Sequence, residues 1–82
     1  VNRVVPADEL DAAVKEYTDF YSSAPTRAIG LIKKMLDKAS TSTLEEMLEY
    51  EAYCQEIAGS TQDYKEGVTA FLEKRKAHFT GK

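Results

Sequence analysis

A single cysteine, Cys54, and a single histidine, His78, are all that this chain of 82 residues offers in the way of soft metal ligands and imidazole bases. Two such residues are too few for a zinc site, and no acidic loop has the spacing of a calcium hand. A cysteine nucleophile would need a base and an orienting group, yet His78 lies in the tail after the last helical segment. The residues around Cys54 are rich in carboxylates and offer no cation to activate a thiol, so Cys54 reads as a small buried hydrophobe. One cysteine excludes an internal disulfide, and a reducing compartment, the cytoplasm, is the expected setting. Apolar runs reach only a few residues, against about 20 for a membrane-spanning helix, and no charged start leads into an apolar signal stretch. Gly-rich phosphate loops are missing, which excludes the common nucleotide-binding folds. Basic excess is missing too: 11 Lys+Arg face 14 Asp+Glu for a net charge of -3. With no Lys/Arg stripe interleaved with aromatics outside residues 71 to 79, a nucleic-acid partner is not expected.

What is present is helical punctuation. After VNRVVP, a β-type run with no partner strand elsewhere in the sequence, four segments carry apolar residues at three- and four-residue spacing. Residues 1–82 are therefore expected to form one all-α unit of about four helices with short joints, preceded by a short extended segment. In the first helix Asp8 is the expected N-cap, and Leu10, Ala13, Val14, Tyr17 and Tyr21 form its stripe. Ser22-Ser23-Ala24 is the joint, and Pro25 suits the first turn of a second helix with Ile29, Ile32, Met35 and Leu36 along one side. That helix is expected to end at Ala39-Ser40-Thr41. Ser42 with Glu45 has the capping-box form for a third helix carrying Leu44, Met47, Leu48 and Ala52. Gly59 is expected to close it as a left-handed residue. Thr61 or Ser60 caps a fourth helix bearing Tyr64, Val68, Phe71, Leu72 and Arg75, whose stripe hands over to Phe79.

Two glycines fall inside helical segments, Gly30 and Gly67, each at a cost of about 1 kcal/mol relative to alanine. Close approach of another backbone or a ligand is the expected compensation. Charge is uneven as well. Residues 45 to 64 hold six acids and no Lys or Arg, whereas residues 74 to 82 hold Lys74, Arg75, Lys76, Lys82 and His78 with no acid. The acids Glu45, Glu46 and Glu49 lack the Glu-x-x-His partners of a di-metal bundle and read as a solvated face. The basic end either offsets a helix dipole or meets a phosphate-bearing ligand whose apolar part would rest on Phe71.

The run Glu66-Gly67-Val68-Thr69-Ala70-Phe71-Leu72-Glu73-Lys74-Arg75-Lys76, with Phe79 nearby, resembles the C-terminal signature of the crotonase superfamily, the enoyl-CoA hydratases and isomerases. VNRVVP with Asp8-Glu9-Leu10, then Ala24 to Ile29 with Lys33-Lys34, then the acidic helix from Leu44 to Glu51, match the family in order and spacing over essentially the whole chain. The resemblance implies the last third of a longer subunit, and the opening at Val1 rather than Met agrees with a piece of something larger. It further implies that the oxyanion hole for the CoA thioester and the acid–base carboxylates lie upstream, in a spiral N-terminal domain, so that the 82 residues hold no catalytic residue and are inactive alone. The partners it implies are that N-terminal spiral domain, a homotrimer or dimer of trimers, and an acyl-CoA substrate, with no resident cofactor. Two residues are implied as ligand contacts: Lys74 at the adenine-ribose phosphate end of CoA and Phe71 near the pantetheine or acyl end. Core packing of Phe71 and simple solvation of Lys74 remain open beside these roles. The competing class is a free-standing helical interaction module without catalytic activity.

Overall fold

Proline at position 6 fixes how the chain enters its first helix. In the computed structural model, which describes residues 1–82, VNRVVP forms no regular element, and Pro6 (φ -55°, ψ 151°) leads into a 3-10 turn at Ala7–Glu9. Asp8 lies inside this turn, and α1 (Leu10–Ser22) starts without a side-chain cap, contrary to the expectation for Asp8. The physical reason is that Pro6 takes the extended position a cap would need, and its carbonyl accepts from the Glu9 N–H at 3.0 Å. The α1 stripe is present but largely uncovered, with Ala13 buried and Leu10, Val14, Tyr17 and Tyr21 between 43% and 53% exposed.

Pro25 stands one residue before α2 (Thr26–Ala39), where its carbonyl accepts the first helical bond from Ile29 at 3.1 Å. Its missing N–H is needed neither there nor in the first turn. The capping box before α3 (Leu44–Gly59) is made by Thr43 and Glu46, not by Ser42 and Glu45. The Glu46 N–H donates to Thr43 Oγ1 at 3.2 Å and the Thr43 N–H donates to Glu46 Oε2 at 3.0 Å. Ser42-x-x-Glu45 and Thr43-x-x-Glu46 satisfy the same pattern one residue apart. Thr43, with extended backbone (φ -74°, ψ 165°), is the one that takes the cap. Cys54, 2% exposed, faces Ala28, Leu31, Ile32 and Met35 of α2, and Tyr50 and Ile57, four residues before it and three after, are half-buried, as is Met47 two turns back. Leu44 and Leu48, expected on the covered stripe, are 74% and 57% exposed.

Gly59 is the last residue of α3 and is right-handed, so the expected left-handed closure does not occur there. The helix instead tightens through Ser60, whose N–H donates to the Glu56 and Ile57 carbonyls, both at 3.2 Å. Thr61 then caps α4 (Gln62–Leu72) as expected, accepting from the Tyr64 N–H at 3.0 Å. A Cβ on Gly30 would meet nothing within 4 Å, so no close approach compensates that glycine. At Gly67 no backbone or ligand approaches either; the neighbour is the Phe79 ring, 3.5 Å from where a Cβ would sit, which is ordinary van der Waals contact.

Left-handed backbone appears at Lys74 (φ 55°) and Gly81 (φ 77°). At Lys74 it ends α4, and Arg75 of the expected stripe therefore falls outside the helix. The Lys74 N–H donates to the Phe71 carbonyl at 3.3 Å and the Arg75 N–H to the Ala70 carbonyl at 3.0 Å, the paired bonds of a Schellman turn. Glycine is the usual residue at that position, and a residue with a Cβ costs about 1 kcal/mol there.

The four apolar residues that are buried, Ala13, Ala24, Cys54 and Ala70, are all small. They give the thin core expected of so short a chain. Its radius of gyration is 16.1 Å and its extents are 44 × 39 × 19 Å. A compact domain of this length would have a radius of about 12 Å. The helices thus spread into a plate about two helix diameters thick.

Candidate functional site at the fourth helix and its tail

The residues that follow α4 do not trail into solvent. Two carboxylates one turn apart on α4, Asp63 and Glu66, take hold of them. Asp63 is 5% exposed, and its Oδ1 accepts from the Thr80 N–H at 2.7 Å while its Oδ2 accepts from the Gly81 N–H at 2.8 Å. The Asp63 N–H donates in turn to the Lys82 carbonyl at 2.9 Å. Gly81 is required where it is, since a Cβ there would come within 2.7 Å of Thr26 Oγ1 in addition to the left-handed φ.

Glu66 works closer to the helix end. Arg75 donates to both of its oxygens, from Nη1 at 2.6 Å and from Nη2 at 3.0 Å, in the bidentate geometry that a planar guanidinium favours. The His78 N–H adds a third bond to Oε1 at 2.8 Å. Arg75 Nε donates separately to Glu73 at 2.6 Å. The Arg75 hydrogen bonds, followed by that from His78, bring the Glu66 carboxyl down from its ordinary value to about 2. The same two carboxylates raise the Arg75 pKa further above its already high value. One of the four cations counted in the basic tail is thereby neutralised. Lys74 and Lys76 are exposed and make no ion pair.

Pinned in this way, the tail sets Phe79 over Gly67 and closes one side of an open apolar groove of about 420 Å³. Tyr64, Val68, Phe71 and Leu72 of α4 form its floor, and Pro25 and Ala28 at the start of α2 face them. Phe71, among these, is 82% exposed. Lys74 sits one turn on, at the left-handed end of α4, and does not line the groove. No set of three or more His, Cys, Asp or Glu side chains comes together to hold a metal ion.

All of residues 1–82 match the family model described as enoyl-CoA hydratase/isomerase. The chain belongs to the enoyl-CoA hydratase/isomerase family. It is 40% identical over 80 residues to 1,2-epoxyphenylacetyl-CoA isomerase of Escherichia coli (strain K12), covering 98% of this chain and 30% of that protein. It is 38% identical over 82 residues to crotonyl-CoA hydratase of Syntrophomonas wolfei, covering 100% of this chain and 32% of that protein. A crystal structure of an enoyl-CoA hydratase subunit from Geobacillus kaustophilus HTA426 superimposes with a TM-score of 0.94 at 36% identity, over 100% of this chain and 32% of that one. The chain thus spans about a third of the length of these relatives and aligns to their C-terminal part. The all-α architecture of four helices is shared with the enoyl-CoA hydratase fold in that region. Within that family frame, Phe71 and Lys74 stand close along the chain at the end of α4. Asp63 and Glu66 were not singled out from the sequence, although two acids three residues apart upstream of a tail with only basic charges were a visible signal.

Proposed function

We propose that this chain is the C-terminal helical part of an enzyme acting on acyl-CoA thioesters, serving subunit assembly and covering the CoA site. In this reading Phe71 offers an apolar wall to the pantetheine or acyl portion, and Lys74 a cation to the adenine-ribose phosphate end. In the same reading, the oxyanion hole and the acid–base carboxylates lie in a spiral N-terminal domain, as the resemblance to the family implies. Asp63 and Glu66 are spent on the tail, and Glu46 on the Thr43 cap.

The observation that carries the reading is the uncovered surface. The chain exposes 6869 Å². A compact monomer of 9.2 kDa exposes about 4,900 Å². The surplus of about 1,900 Å² exceeds the roughly 800 Å² that one partner contributes to a standard interface. Much of it is apolar, with the α1 stripe and the α4 floor both open. A trimer in which these faces meet the N-terminal domain and a neighbouring subunit accounts for both.

The test uses crotonyl-CoA as substrate. The isolated 82 residues are expected to show no hydration above the uncatalysed rate, while the full-length subunit turns it or a related acyl-CoA over and sediments as a trimer or dimer of trimers. Turnover by the purified 82 residues, or a strictly monomeric full-length enzyme, overturns the reading.

A further inference from the structure

Lys74 is the one residue with a Cβ that the fold holds left-handed, and the groups that hold it there are unusually complete. The Schellman bonds fix its backbone, and the next residue, Arg75, is fastened by a fork to Glu66, a bond to Glu73 and a bond from Nη1 to the Lys76 carbonyl at 3.2 Å. Glu66 adds the His78 N–H, so a single carboxylate gathers both sides of the turn. A left-handed residue at this point reverses the chain, and its side chain leaves the end of the helix instead of lying back over the preceding turn. Glycine would make the same reversal without strain, but it would present no cation. Strain kept at a position that the surroundings over-determine marks a functional constraint.

We infer that Glu66 and Arg75 are positioning residues for Lys74, and that their ion pair holds the left-handed turn which aims the Lys74 ammonium at the ribose phosphate of a CoA ligand. This rests on the reading of Lys74 given above. The division of labour among the cations follows from it. Arg75, which could itself bind a phosphate in bidentate fashion, is taken out of that role by Glu66 and Glu73, and the neighbouring Lys74 is left as the free charge. The depressed Glu66 carboxyl keeps the pair intact across the physiological range.

The experiment compares CoA with dephospho-CoA, which lacks the ribose 3′-phosphate, in the full-length enzyme by calorimetry. The preference for CoA, taken as the ratio of the two dissociation constants, is insensitive to a general loss of folded protein. Lys74→Gly keeps the turn and is expected to lose about fivefold in that preference, the upper range for one exposed charge contact. Glu66→Gln and Arg75→Lys are expected to lose most of the same factor, and Glu66→Gln placed on top of Lys74→Gly is expected to change nothing more. Arg75→Lys keeps the charge and removes only the fork, so it stands in should Glu66→Gln fold poorly. A preference unchanged or increased in both Glu66→Gln and Arg75→Lys, with Lys74→Gly still losing it, overturns the positioning role and leaves the Lys74 reading standing. A full preference retained in Lys74→Gly removes the Lys74 reading itself, and the positioning role with it.

Discussion

Replacing Asp63 by alanine should release the last residues of the chain without unfolding the rest. The Asp63 carboxylate accepts from the Thr80 and Gly81 N–H groups at 2.7 and 2.8 Å while 5% exposed. Hydrogen bonds to a charged group contribute about 1.5–3 kcal/mol each, so the two together hold the tail by about 3 kcal/mol at the low end. An 82-residue chain has about 4–12 kcal/mol of total stability, and a core of small residues places this one toward the bottom of that range. The tail, however, can leave the N-terminus of α4 while α2 and α3 stay packed, so the loss appears first as local opening. In Asp63→Ala the Thr80 and Gly81 amides should exchange with deuterated solvent at least about a hundredfold faster, the factor that 3 kcal/mol implies. The His78 amide, held separately by Glu66, is the internal control and should keep much of its protection. Asp63→Asn should release one of the two, the Thr80 or the Gly81 N–H, since an amide nitrogen would then face a donor. Exchange at Thr80 and Gly81 within about threefold of the parent in Asp63→Ala would refute the two-bond account.

Acid should weaken the Glu66–Arg75 pair in a defined window. The folded carboxyl titrates near 2 against a reference of 4.5, so its contribution is complete above about pH 4.5 and is lost as pH falls toward 2. Circular dichroism should accordingly show a shallower acid limb for Glu66→Gln than for the parent chain. Thr43→Ala should cost about 1 kcal/mol in a urea titration, and Ser42→Ala less than half of that, because only Thr43 makes the capping box. Gly30→Ala should raise the melting temperature, by up to about 1 kcal/mol of stability, since its Cβ would enter open space on a helix. A destabilised Gly30→Ala chain would mean that the face is more crowded than the geometry shows.

The helices were legible because their punctuation is local. Thr61 and the stripe of α4 needed no more than neighbouring residues to be read. The failures lie where neighbouring backbone bonds, a one-residue register or a tertiary contact decides. Ser42/Glu45 and Thr43/Glu46 are equivalent in sequence, and only the extended backbone and hydrogen bonds of Thr43 separate them. Gly59 looked like a stop and is helical, because Ser60 and Thr61 close the helix through their own backbone bonds. Gly30 and Gly67 read alike, yet only the second meets a side chain, and that side chain arrives from a tail twelve residues on. The candidate ligand residues Phe71 and Lys74 came from a resemblance to the family. The clamp beneath them, Asp63 and Glu66, depends on the chain folding back, which no local pattern encodes.

The bond from the Asp63 amide to the Lys82 carbonyl, together with Asp63's grip on Thr80 and Gly81, closes residues 63 to 82 into a noncovalent ring. Opening residues 80–82 therefore requires the Asp63 bonds to break first. The first turn of α4 and residues 80–82 are thereby tied together, and Gly81 passes close beside Thr26 at the start of α2. Any chain continuing past Lys82 leaves from that seam, next to the groove and the start of α2, so bulk attached there should disturb the α4 end of the plate before it disturbs α1.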